Sequence, residues 1–145
     1  MNAAAGINAY KNVRVESSVL GTDPHGLIAM LFQGALVEID NARSAMIRKE
    51  TAAKGKSTSK AIAIIGEGLN ASLDKTVGGE LAHSLSALYT YMVTRLVDAN
   101  YKNDVAALDE VTGLLTELKA AWDGIRPQAT QFAPQTMASR TYGSA

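Results

Sequence analysis

Between Pro24 and Pro127 the chain contains no proline. Proline removes a backbone donor and clashes with the preceding helical turn, so a long proline-free interval is what long helices require. Within it, apolar residues recur at spacings of three and four. That recurrence marks one side of an α-helix. Four such stretches follow one another, separated by polar or glycine-containing breaks.

The first is predicted to start at Asp23-Pro24, because aspartate is a preferred N-cap and proline suits the first helical position. Leu27, Met30, Leu31, Ala35, Ile39, Ala42 and Met46 form its apolar row, with Ile28, Phe32 and Leu36 as a second row. Its predicted end falls between Lys49 and Ala53, before a loop at Lys54-Gly55-Lys56-Ser57. The second stretch begins on capping residues from Ser57 to Ser59 and carries Ile62, Ile65, Leu69 and Leu73, with Ile64 beside them. Gly66 and Gly68 lie inside it, where each costs about 1 kcal/mol relative to alanine. Close helix–helix packing is the favoured reason, and close approach of a bound peptide is the alternative.

The third stretch follows Gly78-Gly79, read as a turn, and ends near Asn100. Leu81, Leu85, Leu88, Met92 and Leu96 mark its face, while Tyr89, Tyr91 and Val93 stand off it. Asn103 or Asp104 caps the fourth, whose row is Val105, Leu108, Val111, Leu115, Leu118 and Trp122, with Gly124 as the stop. Four helices with short connections predict an all-α fold, an antiparallel up-down four-helix bundle over residues 22–125. Residues 1–21 read as a flexible N-terminal arm. A short extra helical turn there would place Ile7 and Tyr10, three apart, on one side. Residues 126–145 are rich in Pro, Gln, Thr, Ser and Ala without apolar period, and read as a disordered tail.

Formal net charge is zero, which argues against nucleic acid, since a phosphate binder needs an excess of Lys and Arg. There is no cysteine to staple the fold, bind zinc or act as a nucleophile. No apolar run is long enough to span a membrane, and the N-terminus lacks the pattern of a secretory signal. These features fit the cytoplasm. Glu80 and His83 match one half of the Glu-x-x-His pattern of di-iron bundles, which need two such motifs and further carboxylates. A solvated first-turn pair is the favoured reading, and a metal-binding or catalytic bundle using Glu80 and His83 is the alternative. No catalytic residue, metal site or cofactor is assigned. His25 reads as a surface histidine at a helix start. Arg43, Arg48, Lys49, Lys54, Lys56 and Lys60 gather near the first connection, read as a solvated bundle end in preference to a docking patch for an acidic partner.

What remains is apolar surplus. A helix of a small bundle needs one stripe, and the first and third stretches carry more. Such a surplus belongs either to a wider core or to a groove for a helical partner. Dimerisation through the extra face is a further possibility. The candidate groove residues on this ground are Ile28, Phe32, Ile62, Ile65, Leu69, Leu73, Tyr89 and Val93.

Three segments resemble the bacterial flagellar secretion chaperones of the FliS type. They are Tyr10 followed by Asp23-Pro24 and the run from Leu27 to Leu36; Leu69-Asn70-Ala71-Ser72-Leu73-Asp74; and Gly78-Gly79-Glu80-Leu81 with Leu85, Leu88-Tyr89-Thr90-Tyr91-Met92, Arg95-Leu96 and Ala99-Asn100. Asp23 stands where many members have serine, and both cap a helix. The resemblance implies a helical bundle around which the disordered C-terminal segment of flagellin folds. Such a protein is not an enzyme: it keeps flagellin from polymerising early and delivers it to a component of the flagellar export gate. The resemblance also implicates Ile7 and Tyr10 in that handover.

Overall fold

A computed structural model describes residues 23–125; the arm of residues 1–21, with Ile7 and Tyr10, and the tail of residues 126–145 lie outside them. The described residues form four helices and no strand: α1 (Pro24–Ile47), α2 (Thr51–Ala63), α3 (Lys75–Lys102) and α4 (Val105–Gly124). The Asp23 carboxylate accepts from the Gly26 N–H at 2.7 Å and opens α1. Asp74 and Asp104 do the same for α3 and α4. Each cap satisfies a donor that the first helical turn leaves free.

The first connection differs from the expected loop. Helix α1 stops at Ile47 and the chain turns through Arg48, Lys49 and Glu50, with Lys49 in the left-handed region at φ 60°. Lys54 to Ser57, expected as a loop, are helical. The cause is tertiary. The Lys54 ammonium is buried and donates to the Asn100 carbonyl at 2.8 Å and to Asn103 Oδ1 at 2.7 Å. Asn100 lies in the last turn of α3, where carbonyls have no intrahelical partner and the helix dipole favours a cation. Thr58, also buried, returns its hydroxyl to the Lys54 carbonyl at 2.8 Å.

Helix α2 continues through one π-helical segment, Ile64–Leu69, in which the Asn70 N–H reaches the Ile65 carbonyl at 2.9 Å. The next difference is at the double glycine. Helix α3 starts at Lys75, four residues before Gly79, and Gly79 breaks its first turn at φ 55°, ψ −131°. Side chains with a Cβ rarely adopt that conformation. A Cβ on Gly78 would lie 2.8 Å from that of Ala82. Gly78-Gly79 is therefore a break inside the start of α3.

Contacts along the helices give their directions. His25 meets Trp122 and Arg43 meets Asp109, so α1 and α4 run in opposite senses. Lys54 meets the end of α3, and a Cβ on Gly66 would meet Val93, so α2 and α3 do likewise. Leu31 lies against Gly68 and links α1 to α2. The core comprises Phe32, Ala35, Ile39, Ala42 and Met46 of α1; Ala61, Ile64, Ile65 and Leu69; Tyr89, Met92, Leu96 and Ala99 of α3; and Ala107, Leu108, Val111 and Leu115 of α4.

Ala35, Ile39, Ala42 and Met46 of the expected α1 row and Met92 and Leu96 of the expected α3 row are buried, and each row departs from expectation nearer its start. In α1 Met30 is exposed and Phe32 buried; in α3 Leu81 is 68% exposed and Tyr89 buried. Small residues at Ala82 and Ala99 let α3 approach along a line that runs through Tyr89, and Leu81 is turned out.

Two substitutions test this account. Lys54→Ala removes two bonds from a buried ammonium and leaves the Asn100 carbonyl without that donor, and should cost about 2–3 kcal/mol in urea unfolding. Gly79→Ala places a Cβ in a conformation reserved for glycine, and should cost about 1–3 kcal/mol, read as a lowered thermal midpoint.

Candidate functional site

The candidate site residues divide by burial. Phe32, Ile65, Leu69 and Tyr89 are buried in the core. They fill the interior and form no surface. Ile28, Ile62, Leu73 and Val93 are half-buried and pack on the core from its edge. The division follows helix phase, which spacing alone leaves open: Tyr89 and Val93 are four residues apart, yet α3 turns the first inward and the second to its side.

Val93 begins an apolar strip. Val97 and Tyr101 follow at successive turns of α3 and are 52% and 84% exposed. The strip borders α2. A Cβ on Gly66 would sit 3.8 Å from Val93 Cγ2, and the opposed direction of the helices brings Ile62, one turn before Gly66, level with Val97. On α2, Gly55, Ser59, Ile62 and Gly66 recur at spacings of four, three and four, and so line one side. No heavy atom lies within 4 Å of a Cβ built on Gly55. Gly66 and Val93 thus meet across the seam between α2 and α3, with Ile62 half-buried beside them, and Val97 and Tyr101 stand exposed further along α3.

The two interior glycines of α2 have different surroundings. A Cβ on Gly68 would press on Leu31 at 3.3 Å, which is close helix packing. A Cβ on Gly66 would make only an ordinary contact, so packing against α3 does not demand glycine there. Gly66 lies in the π-helical segment, a distortion frequent at functional sites.

The other side of α3 faces α4 and carries a polar clasp. Tyr91 donates its hydroxyl to Glu110 Oε2, and Arg95 Nε donates to Glu110 Oε1 at 2.8 Å. The two donors hold the Glu110 carboxyl below the usual carboxylate range, and the bond to Glu110 raises the Tyr91 phenol. Leu88 of α3 and Leu114 and Leu118 of α4, all half-buried, belong to these helices' packing edges. The clasp ties α3 to α4 and leaves the α2 side of α3 open.

His25 departs from its expected surface position. It is 4% exposed, and its ring stacks on Trp122 with centroids 4.5 Å apart and planes 6° from parallel. Its Nε2 lies 2.6 Å from the Trp122 carbonyl, and Trp122 Nε1 donates to the His25 carbonyl at 2.9 Å. Because the Trp122 carbonyl can only accept, Nε2 carries the proton. This reciprocal pair joins the start of α1 to the end of α4, a structural use of the histidine. Sequence spacing gave no sign of it, since the partners are 97 residues apart.

Glu80 and His83 are both exposed, and the described residues contain no group of three or more His, Cys, Asp or Glu side chains placed to share a metal ion. A second ligand set for the alternative metal reading is therefore absent among them. No described helix is long and apolar enough to cross a membrane.

Comparison with known proteins adds the relatives. The family described as "Flagellar protein FliS" matches residues 6–129. The "Flagellar secretion chaperone FliS" of Salmonella typhimurium is 48% identical over 130 residues, covering 90% of this chain and 96% of the relative. The "Flagellar secretion chaperone FliSB" of Pseudomonas aeruginosa is 48% identical over 125 residues, covering 86% and 98%. The Bacillus subtilis FliS chaperone is 39% identical over 107 residues, covering 74% and 78%.

Burial pushes the Tyr89 phenol up to about 12 from its ordinary value near 10. Its neutral form is the one the core holds. The stability it contributes is therefore complete below pH 10 and lost as pH rises through about 12. Alkaline unfolding followed by circular dichroism should show this loss in the wild type, and Tyr89→Phe should reduce the slope between pH 10 and 12.

Proposed function

The chain belongs to the family of the flagellar protein FliS, and we propose that it is a flagellar secretion chaperone that binds the C-terminal segment of flagellin. Its relatives are named as chaperones, a non-enzymatic class. The observation that supports the reading at the level of residues is the strip Val93–Val97–Tyr101 on α3, half-buried at Val93 and exposed at Val97 and Tyr101. A strip of valine and tyrosine at successive helical turns matches the apolar stripe of an amphipathic helix laid alongside it.

The mechanism follows from the physics of such a strip. A disordered segment folds as it docks, and the ordering cost takes back part of the gross interaction energy. Binding stays reversible, which a chaperone that must release its client needs. The apolar side of the client is covered while it is bound, so it is withheld from self-association. Ile62 and Val93 are contact residues in this scheme, with Ile28 and Leu73 at the edges of the bundle. Phe32, Ile65, Leu69 and Tyr89 act indirectly, by holding the helices that carry the strip. Ile7 and Tyr10 belong to the handover to the export gate, and the protein acts in the cytoplasm.

Titration calorimetry with the C-terminal segment of the cognate flagellin tests the reading. Binding should be one to one with a clearly negative heat-capacity change. Val97→Asp with Tyr101→Ser should weaken binding at least tenfold while leaving the thermal midpoint nearly unchanged, because both residues are exposed. No binding by the wild type at tens of micromolar would overturn the assignment.

A further inference from the structure

The polar clasp marks where α3 and α4 meet, and their seam continues past it toward the start of α3 and the end of α4. Leu81, Leu88 and Arg95 recur at intervals of seven, two helical turns. Arg95 reaches Glu110, so the two leucines share the side of α3 that faces α4. On α4, Leu114 and Leu118 stand four and eight residues after Glu110, again on the facing side. The two helices are joined by a tight turn at Asn103 and Asp104 and run in opposite senses. Ten residues before Tyr91 and eleven after Glu110 therefore bring Leu81 level with Ala121. Leu85, Leu88, Leu114 and Leu118 are half-buried along this seam, but Leu81 is 68% exposed and Ile125 43%. The seam opens as it nears the bundle end.

Its outer lip is acidic. Glu80 lies eleven residues, three turns, before Tyr91, and Glu117 seven residues, two turns, after Glu110. Tyr91 and Glu110 touch, so both carboxylates continue the lines along which the helices meet. Neither has a cation within 4 Å among the described residues. Lys119 of α4 is paired with Asp123. An apolar floor beside unpaired carboxylates fits a segment with apolar and cationic side chains and no acidic ones.

The chain itself supplies such a segment at this place. Residues 126–145 follow Ile125 directly, include Arg126, Phe132, Met137, Arg140 and Tyr142, and contain no Asp or Glu. Their reach is sufficient. Phe132, seven residues beyond Ile125, can stand up to ~23 Å from it, whereas Leu118, seven residues back along α4, is only ~10 Å away. We infer that residues 126–145 turn back onto the α3–α4 seam, with Phe132 on Leu81 and Leu85 and the arginines at Glu80 and Glu117. Lacking an apolar period, the segment docks through these anchors and not as a helix. Such a contact is weak by itself, and the short tether to α4 compensates by raising the effective concentration. It lies across α3 from Val93 and Val97 and does not depend on the client reading.

The test uses the full chain. It has no cysteine, so a nitroxide on Ser139→Cys reports from one place only. It should broaden the amide signals of residues 81–88 and 114–121 strongly. Phe132→Ser or Leu81→Ser should each reduce that broadening at least about fivefold. Glu80→Lys with Glu117→Lys should reduce it about threefold at low salt. Unchanged thermal midpoints show that folding is intact. Broadening that survives Phe132→Ser and Leu81→Ser is what a merely tethered tail gives, and overturns the inference. If only the charge variant leaves it unchanged, the carboxylate contacts are overturned and the apolar one stands. Broadening passed to chains without nitroxide in a mixture means that a second copy fills the seam, which also overturns it.

Discussion

Ala35, Ala42, Ala61, Ala82, Ala99 and Ala107 are all buried, and they set how closely the four helices approach. Alanine at a helix contact leaves little between the backbones, which favours close approach. Close approach fixes the core and also limits it. Each helix has room inward for a few large side chains only: Ile39 and Phe32 on α1, Ile65 and Leu69 after α2, Tyr89, Met92 and Leu96 on α3, Leu108 and Leu115 on α4. The remaining large apolar residues have no place inside and collect along the seams. The apolar strip on α3 is thus a consequence of how tightly the interior is closed.

Polar contacts at the two ends hold the register that the alanines allow. At one end the Lys54 ammonium binds the end of α3 to the start of α2. At the other, His25 and Trp122 exchange hydrogen bonds across the first and last helices. A slide of one helix along another would break these bonds and leave a buried charge or donor unmet, which costs more than the bond contributes when made. Between the ends, Arg43–Asp109 and the Tyr91–Glu110–Arg95 clasp are exposed and contribute less. The seam between α2 and α3 has no such clasp along its middle. Its walls are fixed from the ends.

The sequence made the helices legible because their signals are local. Proline-free periodicity located all four, and Asp23 and Asp104 cap where capping chemistry placed them. What it misread depended on distant partners. Lys54-Gly55-Lys56-Ser57 has loop composition, and only the end of α3 turns it into helix. His25 has a surface residue's habits, and only Trp122 buries it. Helix phase was legible only in part for a related reason: in α3 Met92 and Leu96 of the expected row are buried, but Ala82 and Tyr89 take the inward places where Leu81 and Leu88 were expected. Half of the eight described site candidates are core on that account. Val97 and Tyr101, the most exposed members of the strip, share the four-residue period of Val93, and periodicity alone does not distinguish such an exposed row from a buried one.

The strip also has to remain soluble when empty. An exposed apolar surface invites association unless it is narrow or rimmed by charge. Val93, Val97 and Tyr101 form a single row, one residue wide, with Thr94, Asp98 and Lys102 as the next row round the helix. On the opposite wall the glycines and Ser59 offer shape but little area, so two copies meeting face to face would bury little. Under the proposed function a client helix differs, because its side chains can enter the space that Gly55 leaves open. On the proposed reading the seam discriminates by depth: a flat partner gains little from it, and a helix with side chains in register gains most.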